Sequence, residues 1–188
     1  MSWDAIKKTI RERRTVNRFT GEPVPLSLIE ELLDAAVWAP FHSRKEPWRF
    51  LLFLDDGRRR FSDAVLATYP ADKRKQLGEQ VAKAYCQEVP AHLVVLMEEE
   101  PRWKEWEEAL SATSALIQNL QLLAWERGIG IVWKTNSYNG DPQFRAGVGV
   151  QPGQKVVGTL HMGYFDPATV RRAKPRTPVG ELLTLVDG

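Results

Sequence analysis

The stretch from 103 to 127 sets the strictest condition on the fold. Trp106, Leu110, Thr113, Ile117, Leu120 and Ala124 recur at helical spacing, while Leu116, Leu122, Leu123 and Trp125 widen the apolar band far beyond one stripe. A helix that is greasy on most sides needs cover from more than one direction. In a chain of 188 residues, a second copy of the molecule is a natural source of that cover.

Proline and glycine divide the rest. Residues 2 to 13 read as a first helix, with Ser2 as a cap and Trp3, Ile6 and Ile10 on one face. Gly21-Glu22-Pro23-Val24-Pro25 must be extended, because proline fixes its own φ and restricts the residue before it. A second helix starts at Ser27, with Glu30 completing a capping box and Pro40 as its stop. A strand is expected over 49–54, a turn at Asp56-Gly57, and helices over 58–69 and 72–87, broken by Pro70 and polar enough to lie outside the core as a flap. Pro90 introduces a strand over 91–97 whose unbroken apolar run predicts burial on both faces. Gly128 closes the long helix in a left-handed cap, and 129–134 is a third strand. Asp141-Pro142 opens a short helix ending near Gly147 or Gly149, 155–164 is a fourth strand, and a basic tail follows. Helices outnumber strands without alternating strictly with them, so the class is α+β, in a single domain over 1–188.

The totals exclude several functions. A net charge of +2 is too small for broad electrostatic binding of nucleic acid or of an anionic membrane. Cys86 is the only cysteine, which rules out an internal disulfide framework and fits a reducing cytoplasm. Charged residues crowd the first eighteen positions, leaving no apolar signal-peptide core, and runs such as 50–54 and 93–97 are too short to span a bilayer.

Familiar site motifs fail in turn. Gly128-Ile129-Gly130 and Gly147-Val148-Gly149 lack the third glycine of a dinucleotide fingerprint, and the first lies between a helix and a following strand, the reverse of the order required. There is no phosphate-binding P-loop, zinc-type histidine pair or nucleophile elbow, and His42, His92 and His161 are scattered along the chain, so no metal is expected. What remains is Arg13-Arg14-Thr15-Val16-Asn17-Arg18, several guanidinium groups beside a hydroxyl and an amide at a helix-to-loop junction. Such forks match phosphate oxygens in charge and bidentate geometry; equally, a basic helix end offsets the negative pole of the helix dipole.

Read in order, Arg13-Arg14-Thr15, Ala35-Ala36 with Ala39-Pro40, Pro47-Trp48-Arg49-Phe50, Trp106-Glu107, Gln118-Asn119, the segment from Gly128 to Thr135, and Val157-Gly158-Thr159-Leu160-His161-Met162-Gly163-Tyr164 resemble the FMN-dependent nitroreductase family. The resemblance is strongest to its small single-domain NAD(P)H nitroreductase branch, in which a histidine follows the Ala-Pro pair as His42 does here. It implies a nitroreductase-like fold, a mainly antiparallel central sheet flanked by helices, in an interlocked homodimer with FMN in the subunit interface. NADH or NADPH would then serve as electron donor, and a nitroaromatic, quinone or related small molecule as acceptor.

The same resemblance assigns residues to the cofactor. Arg13, Arg14 and Thr15 would hold the 5′-phosphate, with Lys174 and Arg176 approaching it from the tail. Gly130, Trp133, Lys134 and Thr135 match positions that contact the flavin; Trp38 and His42 match positions contributed by the partner subunit. Asn17 stands where many relatives carry a cation near the flavin edge on which negative charge gathers during reduction, a role Lys134 could assume. The flavin carries the redox step, so no catalytic side chain is singled out. Alternatives on the same cofactor are reductive dehalogenation, flavin breakdown or a non-catalytic flavin-binding module.

Overall fold

A computed structural model describes residues 3–42 and 45–186; Ser2, the expected cap, and Ser43 and Arg44 of the Pro-bracketed loop lie outside the described residues. The chain runs α1 (Trp3–Glu12), α2 (Leu26–Ala36), β1 (Trp48–Phe53), α3 (Gly57–Ala67), α4 (Ala71–Lys83), a π-helical turn (Ala84–Glu88), β2 (Ala91–Glu98), α5 (Trp103–Glu126), β3 (Ile129–Lys134), α6 (Pro142–Val148), β4 (Gln154–Tyr164) and α7 (Val179–Leu182). The strands form one antiparallel sheet in the order β1-β2-β4-β3. Among the described residues, no helix is long and apolar enough to cross a membrane.

Both faces of this sheet are covered, as the apolar run of β2 requires. Leu93, Val95 and Met97 join Leu160, Met162, Ile129 and Ile131 against α2 and α5. On the opposite face Val94 and Leu96 meet Phe61 and Val65 of α3 and Phe144 and Val148 of α6. The first layer answers part of the demand made by the long helix: α2 covers α5 from within the chain, and Asn119 Nδ2 of α5 donates to the Ala36 carbonyl at 3.4 Å. Leu110, Leu122, Leu123 and Trp125 stay only partly buried.

Two expectations need correction. Ser27 and Glu30 form no capping box; α2 begins one residue earlier, with Pro25 as its N-cap, because the fixed φ of −61° already aims the Pro25 carbonyl at the amides of Leu28 and Ile29. α3 does not lie outside the core, since Phe61, Ser62, Ala64, Val65 and Leu66 are buried; of the two flap helices, α4 alone has no buried residue. On α1, Trp3, Ile6 and Ile10 are exposed, and Thr9 alone is enclosed, its hydroxyl bonded to the Ala5 carbonyl and to Glu126.

Beyond α1 the chain is fastened to the free edge of β3. Thr15 pairs with Ile131 in a parallel bridge, Val16 N donates to the Ile131 carbonyl at 3.3 Å, and Thr20 N to the Tyr164 carbonyl at 2.9 Å. Gly130 permits this approach: a Cβ there would sit 2.5 Å from the Cβ of Val16. The arginine-bearing strip is thereby fixed beside the N-terminal half of β3.

Candidate active site

Three cations converge at the start of that strip. Arg13 is half-buried, one Nη1–H donating to Gln121 Oε1 at 3.3 Å, while its Nε has no hydrogen-bond partner. Burial above all, then the nearby charges of Arg14 and Arg176, hold the Arg13 guanidinium below its ordinary pKa. No described carboxylate lies within salt-bridge distance of these three arginines. A buried donor facing an excess of positive charge gains from an anion with several acceptor oxygens. Arg14 also caps α1, since its Nη1 donates to the carbonyls of Arg11 and Arg13, so the helix-end role and an anion-binding role coexist.

Next to this cluster lies a cavity of about 630 Å³ between the N-terminal strip, the α4 flap and the second face of the sheet, bordered by Asn17, Val81, Tyr85, Val132, Lys134 and His161. Lys134 is half-buried, and desolvation lowers its pKa. The volume suits a flat heteroaromatic ligand, and the wall mixes apolar surface with a few convergent polar groups, as small-molecule sites do.

Thr15, Trp38, His42, Gly130, Trp133, Thr135 and Lys174 do not border this cavity. Thr15 and Asn17 border a small furrow shared with Thr169 and Val170 of the tail. Trp133 projects to the α5 face, its indole laid across Gly158, where a Cβ would come within 2.0 Å of Nε1. With Thr135 it borders a separate concavity of about 540 Å³. Gly130 is buried and its open side is filled by Val16. Trp38 is 85% exposed, His42 lies 3.5 Å from Glu108, and Lys174 and Arg176 are exposed in the tail.

Sequence reasoning missed the most unusual feature of the wall. His92 and His161, far apart in the chain, face each other across β2 and β4 with their Nδ1 atoms 2.8 Å apart. His92 Nε2 lies 2.8 Å from the Tyr85 carbonyl, which the π-helical turn leaves open: Val89 N bonds the Ala84 carbonyl, and the next residue, Pro90, has no N–H to give. Phe61 stacks on His92 with ring centroids 4.2 Å apart, and burial pushes the His92 imidazole down to about 4. His161 falls well below its ordinary value through burial first, then His92 and Lys134. The available signal was the placing of each histidine inside an otherwise apolar strand, where a polar ring must find a partner.

Comparison with known proteins agrees with the fold. The model of the Nitroreductase family matches residues 10–164. The chain is 32% identical to the "Putative NAD(P)H nitroreductase YfhC" of Bacillus subtilis over 95% of its own length and 93% of that protein. A crystal structure of a nitroreductase-like family protein from Bacillus cereus superposes with a TM-score of 0.93 at 41% identity, covering 100% of this chain and 99% of that one. A nitroreductase with bound FMN from Bacteroides fragilis shares the fold at 23% identity, TM-score 0.70, with 97% and 98% covered. The antiparallel sheet, its helical layers and the extent of these matches place the chain in the nitroreductase family.

Proposed function

We propose that this protein is an FMN-dependent oxidoreductase that draws electrons from NADH or NADPH and passes them to a nitroaromatic, quinone or related small acceptor. The observation carrying this reading is the meeting of Arg13, Arg14 and Arg176, with a buried, unpartnered Arg13 Nε, beside a cavity walled by Asn17 and Lys134. The arginines suit a phosphate dianion, with Thr15 adding a hydroxyl, and the cavity suits a planar ring. FMN, when bound, supplies the hydride chemistry. The chain's own residues bind and orient: Lys134 brings a partly desolvated ammonium to the flavin edge, where Asn17 supplies neutral N–H groups, and α4 with its π-helical turn limits the entry of water. Trp133 and Thr135 are assigned to the strand end that supports this site, and Lys174 to the phosphate cluster.

The active form is a homodimer. Trp3, Ile6, Ile10, Trp38, Leu182 and Leu185 present apolar surface that one chain leaves uncovered, and Trp38 and His42 are assigned to the site of the partner. A cytoplasmic setting follows from the lone Cys86 and the small molecules consumed.

Freshly purified protein should be yellow, and sedimentation followed at the visible flavin band should show a species of twice the mass of one chain. Arg176→Ala, a change at an exposed side chain, should weaken FMN retention about tenfold or more, read as free flavin in an ultrafiltrate. A colourless protein that ignores added FMN would refute the reading.

A further inference from the structure

The buried histidine pair fixes its own tautomers. The Tyr85 carbonyl can only accept, so His92 Nε2 carries a proton. Burial keeps the His92 ring neutral at pH 7, which leaves its Nδ1 as a bare acceptor. At 2.8 Å the facing His161 Nδ1 must therefore donate. His161 is neutral as well, so its Nε2 is a lone pair; it is buried, has no hydrogen-bond partner, and belongs to a ring bordering the large cavity.

Around the same cavity stand the Lys134 ammonium and the Asn17 amide, both able to donate. Two donors and one obligate acceptor complement a heterocycle edge in which one N–H lies between two carbonyls. Resting on the flavin reading above, we propose that His161 Nε2 is the acceptor for the imide N–H of FMN, with Lys134 and Asn17 donating to the carbonyls on either side of it. His92 is a positioning residue: held by the Tyr85 carbonyl, it keeps the lone pair of His161 turned away from itself. This makes His161 the group by which the protein distinguishes the imide from flavins blocked at that nitrogen. An acceptor closed off from water by the bound ligand discriminates strongly, because a ligand without the donor leaves it unsatisfied.

The test uses FMN and N3-methyl-FMN, identical except for that donor, titrated into flavin-stripped wild-type protein, His161→Phe and His161→Gln. Methylation should weaken binding to wild type about tenfold to a hundredfold and binding to His161→Phe less than about threefold, with His161→Gln, whose amide carbonyl can accept, lying between. In wild-type protein labelled with ¹⁵N-histidine, the His161 Nε2 resonance should show a bare lone pair before addition, move toward the hydrogen-bonded range with FMN, and stay in place with N3-methyl-FMN. That spectrum decides the matter even if the variants fold poorly. An equal methylation penalty in wild type and His161→Phe, or a resonance indifferent to FMN, would overturn the assignment while leaving the flavin reading intact. Absence of any FMN binding would instead bring down the flavin reading, and this assignment with it.

Discussion

Gly130 and Val16 show how one absent methyl group positions the site. A Cβ at 130 would lie 2.5 to 2.7 Å from three side-chain carbons of Val16, so Gly130→Ala has to push the arginine-bearing strip off β3. We expect a loss of about 1–3 kcal/mol, measured as a lower urea midpoint at unchanged slope. Val16→Gly in the same chain removes all three carbons and should make the combined loss smaller than the sum of the two single losses; simple addition would disprove the steric account. The resemblance assigned Gly130 to the cofactor, and in the fold Val16 packs on its open side. Arg13 and Arg14 were legible because adjacent guanidinium groups at a helix end lie near each other whatever the fold. His92 and His161 were not, because their meeting depends on β2 pairing with β4 across 69 residues, and nothing local specifies that partner.

At the level of elements, legibility follows how local the determinant is. Asp141 accepts from the amides of Gln143 and Phe144, and Gly128 adopts φ 70°, both as their short-range chemistry predicts. The flap was only half legible, since α3 and α4 have similarly polar compositions while Phe61, Val65 and Leu66 anchor the first to the sheet. The two helices should therefore differ in local stability: amides of α3 should exchange with deuterium at least about a hundredfold more slowly than those of α4. Equal protection would mean that α4 is pinned by contacts other than those described.

For the molecule as a whole, the histidine pair couples stability to pH. Both rings are held below the ordinary histidine value of 6.5, His92 at about 4, so over that window the unfolded chain binds protons that the folded chain refuses. Stability should be undiminished above pH 6.5 and fall as pH drops from there toward 4. Urea midpoints recorded across this range should decline more steeply for wild type than for a His92→Phe/His161→Phe double variant, which lacks both buried rings. Equal slopes in the two proteins would contradict the assignment. The strip from Arg13 to Asn17 has a last consequence for the whole protein. Where it bridges to Ile131 it closes the outer margin of the sheet, which would otherwise present a row of bare peptide groups. Damage to the anion grip therefore carries a hazard beyond lost catalysis: once unzipped, that margin is a template on which other chains can aggregate.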